Sequence, residues 1–445
     1  MKEVAMRYSL AIDIGASSGR HIVGCVRDGR IECEEIYRFA NGMDNLDGHL
    51  VWDTDRLFCE VKEGIRRALL KYPDISSVSI DTWGVDYVLM RGDTEVAPTY
   101  AYRDSRTDGP IDAVHAIIPF DRLYSISGIQ FNKFNSVYQL YADKLAGRLE
   151  GVTDFLMIPE YLMYKLTGVK CKEYTDATTT GMLNCRTGDF DESIIAELGF
   201  PKEMFGKLNM PGTLVGRFTE AVAAEVGGNM DVVLCPTHDT AAAVEAIEMS
   251  TDSPYVSSGT WSLLGVKTER AINDDKSRLS DYSNEGGVGY NRYQKNITGM
   301  WIVQCLRREL CPDTDYGEIA AMAEKSSYDK IFDVNDDAFM APESMKEAID
   351  EYLKARGVKT PVSAADYFSA AYHSIAYGYK VAIDDLESNT GRSYSEIYIV
   401  GGGAKNKYLN HLTECYTYKR VVALPIEATS IGNLKTQLKR LGEIE

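Results

Sequence analysis

The chain predicts two α/β domains closing on a shared ligand, and three observations carry that reading. Its 445 residues exceed what one hydrophobic core usually organises. Near the N-terminus, Tyr8 to Ile12 and His21 to Val26 are apolar, β-prone runs on either side of Asp13 to Arg20, DIGASSGR. In the second half, Pro254 to Val266 repeats the pattern of strand, Ser-Ser-Gly-Thr turn and strand.

The first of these turns decides what kind of ligand to look for. A Walker-type loop would end in Gly-Lys-Ser/Thr and open a helix, and neither follows here. What remains is a hairpin whose small residues Gly15, Ala16, Ser17, Ser18 and Gly19 let backbone N–H groups and hydroxyls approach a phosphate. Asp13, just before the turn, would face the cation that accompanies such phosphates. A single hairpin of this kind is more often only a turn. Two, with Asp13 near one and Asp239 upstream of the other, suggest related halves around one nucleotide.

Bulk properties exclude several classes. A net charge of -18 and a pI near 4.9 argue against nucleic-acid or anionic-membrane surfaces. Any phosphate site must therefore use local dipoles and metal. The 9 cysteines show no metal-ligand spacing and fit a reduced, cytoplasmic protein. Nothing reads as a signal peptide, and no apolar run is expected to span a membrane.

Along the chain, Ile31 to Phe39 reads as a strand and Asp53 as the N-cap of a helix to about Lys71, with Leu57, Val61, Ile65, Ala68 and Leu69 at helical spacing. Val78 to Val88 reads as one apolar strand interrupted by Asp81 and Asp86, where Gly84 would admit a substrate close to the backbone. Arg103, Asp104 and Arg106 in AYRDSRT suit hydroxyl recognition, although a solvated ion-pair cluster is the commoner case. Ser127 to Asn135 is a polar and aromatic loop that could line a sugar pocket, and Glu173 to Thr180 reads plainly as a hydroxyl-rich cap or turn.

Asp231 to Val244, DVVLCPTHDTAAAV, is the second decisive stretch. A short buried strand turns at Pro236, and His238, Asp239 and Thr240 open an Ala-rich helix. Asp239 is either a cap or a base for an attacking hydroxyl; His238 is read as a binding residue only. Glu248 to Ser253 is the expected domain boundary. Beyond the second hairpin, Asn296 and Gln304 fall near one region, with helix capping the plain alternative for Asn296. The long helix from Ala364 is core, and Ile397 to Asn406 runs a strand into three glycines, where a ligand could approach the backbone.

In order, DIGASSGR, DTWGVD, AYRDSRT, SGIQF, EYTDATTT, THDTA, SSGTWS, NEGG, VGGG and EATSIGN resemble the FGGY family of sugar kinases, within the actin/hexokinase-like ATPases. The likeness spans nearly the whole chain. It implies two ribonuclease-H-like (actin-like ATPase) domains, 1-247 and 248-445, with a nucleotide and sugar cleft between them. It also implies ATP contacts from Ala16, Ser17, Ser18, Gly19, Arg20, Thr260, Gln304 and Gly402, and sugar contacts from Gly84, His238, Asp239, Thr240 and Asn296. Asp239 would be the base and Asp13 would lie near Mg2+. The implied reaction moves the γ-phosphoryl group of ATP to the 1-hydroxyl of L-rhamnulose; another ketose such as L-fuculose, water as acceptor, or an inactive sugar-binding relative are the alternatives. The implied protein is a monomer or homodimer without nucleic-acid or membrane partners. One departure stands out: after Gly432-Asn433 the family continues with small apolar residues, whereas LKTQLKRLGEIE is Lys-rich. It reads as a shortened C-terminal domain lacking the usual closing helix.

Overall fold

The computed structural model describes residues 6–249, 253–424 and 427–444. Of the expected boundary at 248–253, residues 250–252 lie outside the described residues. The first half begins with β1 (Tyr8–Ile14), β2 (Ser18–Arg27) and β3 (Arg30–Ala40), then α1 (Thr54–Lys71) and β4 (Ile75–Thr82). It ends with β5 (Leu214–Arg217), β6 (Asp231–Val233) and α2 (Asp239–Glu245). The sheet runs β5-β6-β4-β1-β2-β3. Antiparallel pairs join β1 to β2 and β2 to β3, and β4 lies parallel to both β1 and β6.

The second half repeats this plan with β7 (Tyr255–Ser258), β8 (Trp261–Thr268), β9 (Ser283–Gly286), β10 (Asn291–Thr298) and α3 (Trp301–Leu310). After α4 (Ala364–Thr390) come β11 (Glu396–Val400), α5 (Lys407–Thr417), β12 (Arg420–Ala423) and α6 (Ala428–Arg440). Its sheet runs β9-β10-β8-β7-β11-β12, again an antiparallel hairpin set flanked by parallel strands. The two Gly/Ser turns therefore occupy the same place in two similar sheets.

Local chemistry explains the elements. Asp53 caps α1 by accepting from the Arg56 N–H at 2.8 Å, and Leu57, Val61, Ile65, Ala68 and Leu69 form its buried face, as their spacing predicts. The run from Val78 is not one strand. β4 stops at Thr82, and Trp83 to Asp86 turn the chain with Val85 at φ 68° before pairing resumes at Tyr87. Asp86 holds that turn, accepting from the indoles of Trp52 (2.7 Å) and Trp83 (2.9 Å) and from the Tyr102 N–H (3.1 Å) and Gln139 amide (3.0 Å).

The halves interlock through their last helices. Ala243, Val244 and Ile247 pack with Tyr255, Val400 and Ala428, while Leu434 and Leu438 of α6 pack with Ala11 and Ile22 of the first sheet. Where the helices cross, a Cβ at Gly432 would overlap the backbone carbonyl of Ala242, so only glycine permits this approach. The Lys-rich stretch from Leu434 is thus the second half of a helix with a buried apolar face.

Candidate active site

The site grows from the C-terminal ends of β1 and β4. Asp13 and Asp81 are direct partners in this parallel pair. Thr82 bridges to His238, and its N–H donates to the Thr237 carbonyl at 2.9 Å, which brings the start of α2 to the same edge. Three acids from three separate stretches converge as a result. Asp81 is fully buried and Asp13 nearly so, while the Asp239 side chain is 32% exposed.

The environments of these acids differ. Burial raises Asp13 above the ordinary carboxylate range; Arg20 opposes the rise and Asp239 adds to it. Arg20 donates to Asp13 Oδ2 at 2.9 Å through Nε and 2.8 Å through Nη2, and reaches Glu427 with its other nitrogen. Burial, with the neighbouring Asp13, pushes Asp81 well up, offset in part by Asn433 Nδ2 donating to Oδ2 at 2.6 Å. The other Asp81 oxygen is buried without a hydrogen-bond partner among the described residues.

The first turn is tight, with the Gly15 N–H donating to the Ser18 carbonyl at 2.9 Å. Ser17 at its tip is exposed, and Ala16 and Ser18 are half-buried. In the second turn, the Gly259 N–H donates to the Trp261 carbonyl at 2.9 Å, leaving Thr260 exposed with its hydroxyl 3.4 Å from Gln304. Thus Thr260 and Gln304 are neighbours. Gly401 and Gly403 pack on Ser258 at the end of β7, where a Cβ on either would meet that residue; Gly402 faces open space. None of the described hydrogen bonds or ion pairs joins the first turn to the second or to Gly402.

The other expected contacts have separate surroundings. Gly84 lies in the turn after β4, and the next N–H, of Val85, donates to the Thr179 hydroxyl oxygen at 3.1 Å. Asn296 is within β10 rather than capping α3, and its N–H points at Gln130 Oε1 at 3.5 Å, which ties it to the 127–135 loop. Thr240 is buried beside Asp239, donating to Oδ1 at 3.1 Å. Arg103 of AYRDSRT lies over the rings of Tyr102 (5.3 Å) and Trp301 (5.6 Å). Asp104 instead serves structure, accepting from the Leu50 N–H at 2.7 Å and the Arg106 N–H at 3.0 Å. Glu173 caps its helix and accepts from the Thr237 hydroxyl at 2.6 Å, so this plain reading holds, with an added tie to the THDT turn.

Several residues here were not singled out by sequence: Glu427, Ser430 and Asn433 around the acids, and Glu285 and Arg292 beside His238. Their only prior signal is membership of the EATSIGN and NEGG stretches and the aromatic strand that follows. A cavity of about 350 Å³ lined by Tyr174, Arg186, Glu269 and Tyr290 opens between the halves but includes none of the expected site residues. Among the described residues, no helix is long and apolar enough to cross a membrane.

Comparison with known proteins agrees with this arrangement. Residues 8–244 match the N-terminal domain, and 254–439 the C-terminal domain, of the FGGY family of carbohydrate kinases. A rhamnulokinase of Oceanobacillus iheyensis is 40% identical over 441 residues, covering 98% of this chain and 94% of that protein. One of Bacillus subtilis is 37% identical over 445 residues, covering 98% and 90%. Among solved structures, a ligand-bound xylulose kinase from Lactobacillus acidophilus superposes with a TM-score of 0.79 at 14% identity, covering 98% of this chain and 90% of that one. Plasmodium falciparum glycerol kinase with ADP gives 0.75 at 13% identity, covering 99% and 90%. With both domains matched across two similar sheets, the chain belongs to the FGGY family of carbohydrate kinases.

Proposed function

We propose that this protein transfers the γ-phosphoryl group of ATP to the 1-hydroxyl of L-rhamnulose. The observation that carries the reading is the position of Asp239. It stands at the first turn of α2, partly open to solvent and near enough to the acids of β1 and β4 to help raise them. The substrate is taken from the near full-length likeness to proteins named rhamnulokinase.

In this reading Asp239 accepts the proton of the attacking hydroxyl, and Gly84, His238, Thr240 and Asn296 orient the ketose. The turn of Ala16 to Gly19, with Arg20, receives the β- and γ-phosphates through N–H groups and a guanidinium; Thr260, Gln304 and Gly402 hold the rest of the nucleotide. Such positioning and electrostatic stabilisation are the main protein contributions to phosphoryl transfer. Among the described residues no three His, Cys, Asp or Glu side chains are grouped to hold a metal on their own. That suits Mg2+ carried with the nucleotide, which keeps several waters and needs one or two carboxylates, here Asp13 and the unpartnered oxygen of Asp81. When bound, Mg2+ would offset charge on the transferring phosphates. All nine cysteines are free, which supports placing the reaction in the cytoplasm.

The test is ADP release with Mg-ATP, scanning L-rhamnulose, L-fuculose, D-xylulose, glycerol and no acceptor. A marked preference for L-rhamnulose is expected. A rate independent of acceptor would replace the proposal with nucleotide hydrolysis, and preference for another ketose would replace the substrate.

A further inference from the structure

We propose that the hydroxyl-rich segment Glu173 to Thr179 is the positioning element of the sugar site. It fixes the turn that carries Gly84 against the stretch that carries His238 to Thr240, and ties both to Gly286 of the second half. The inference rests on the sugar contacts and the base proposed above. The segment is a short helix, Tyr174–Ala177, continued by a 3-10 turn, Thr178–Thr180, and Glu173, Thr178 and Thr179 are all buried.

The chemistry of each link is specific. Glu173 Oε2 accepts from the Thr237 hydroxyl at 2.6 Å and from the Thr237 N–H at 3.2 Å. The same carboxylate accepts from the N–H and the hydroxyl of Thr175, both at 2.7 Å, and from the Asp176 N–H at 3.0 Å. Donors from two stretches thus meet on one buried carboxylate, and neither stretch can shift without leaving it short of a partner. The threonines work in both directions. The Thr178 hydroxyl donates to the Thr175 carbonyl at 2.6 Å and that of Thr179 to the Asp176 carbonyl at 2.8 Å, so only their lone pairs remain for an outside partner. Those lone pairs accept from the Gly286 N–H at 2.8 Å and the Val85 N–H at 3.1 Å.

The consequence is geometric. Thr237 is held on its other side by the Thr82 N–H, which donates to its carbonyl at 2.9 Å, and His238 and Asp239 follow directly. Gly84 lies against the same segment: a Cβ there would come 3.1 Å from Thr179 Cγ2 and 3.3 Å from Asp176 Oδ1. One buried segment therefore sets the separation between the base and the Gly84 turn. Glu173, Thr178, Thr179 and Thr237 are positioning residues, and none is assigned a contact with the sugar.

The test compares Thr237→Val, which keeps the side-chain shape and removes the hydroxyl that meets Glu173, with Thr237→Ser, which keeps the hydroxyl. Steady-state ADP release is read with L-rhamnulose, or whichever ketose the parent prefers, beside amide hydrogen exchange of the full chain without ligand. Thr237→Val should lower kcat/KM for the sugar on the order of tenfold, leave KM for ATP near the parent value, and speed exchange across residues 238–241 but not in the 15–19 turn. Thr237→Ser should stay near the parent in each. A folded Thr237→Val with parent-like sugar kinetics and exchange would overturn the proposal, as would equal losses in the two variants. If Thr237→Val does not fold, the unliganded parent decides: the Val85, Thr237 and Gly286 amides should exchange slowly, and rapid exchange at them would overturn it. A parent without ketose-dependent turnover would count against the proposed function, while the exchange results, which need no sugar, would still decide whether the segment holds these stretches.

Discussion

Asp13 and Asp81 are paired on adjacent parallel strands, but Asp13 is met by the guanidinium of Arg20 and Asp81 by the neutral amide of Asn433. This asymmetry leaves Asp81 the more strongly raised of the two. It also makes Asn433, which comes from α6 near the other end of the chain, part of the floor of the site.

Asn433→Ala should therefore destabilise the protein by about 1–3 kcal/mol, the cost of leaving a buried acceptor unmet. Urea unfolding at pH 7 reads this directly. A midpoint equal to the parent's would mean that the amide contributes nothing to holding Asp81.

Asp239→Asn keeps the side-chain shape and removes the proposed base. Turnover should fall by roughly 10²- to 10⁴-fold, with a much smaller change in sugar binding. Steady-state kinetics beside direct sugar titration separates the two. Turnover near the parent value would show that another group accepts the proton.

His21 supplies a pH signature away from the chemistry. Burial holds it at about 4, below its ordinary value of 6.5, although Nε2 meets the Val61 carbonyl at 3.3 Å. The unfolded chain takes up the proton first on acidification. Stability from this residue is thus complete above pH 6.5 and is lost as pH falls toward 4, on the order of 2 kcal/mol by pH 5. Comparing urea unfolding at pH 7 and pH 5, His21→Leu should show a correspondingly smaller loss than the parent. Identical losses would place the acid sensitivity elsewhere.

Gly432→Ala should separate α2 from α6 at their crossing. Overpacking of this kind costs about 1–3 kcal/mol, and here the obstruction is a backbone carbonyl. A lower thermal midpoint is expected, whereas an unchanged one would show that the helices can part without cost.

Much of this arrangement was legible from local chemistry. The turns at Gly15 and Gly259 announce themselves because small residues interrupt β-prone runs, and Asp53 because a capping acid precedes a helical stripe. The break at Trp83 to Asp86 was not legible. A left-handed Val85 carries no local signal, and that turn is held by Trp52 and Gln139 from remote elements. Likewise the charges of LKTQLKR are plain in sequence, while the burial of Leu434 and Leu438 depends on the first sheet.

The sequence by itself determined the two-fold plan, the two Gly/Ser hairpins and the family, because turn geometry, strand patterning and ordered motifs are local properties of the chain. Only the tertiary structure decided that Asp81 completes the acid group, that Asn433 and Glu427 return from the far end to it, and that Glu285 and Arg292 hold His238. The physical reason is that a buried charge or amide is settled by the partners that folding delivers to it. In this protein those partners come from strands and a helix hundreds of residues away along the chain or from the opposite half.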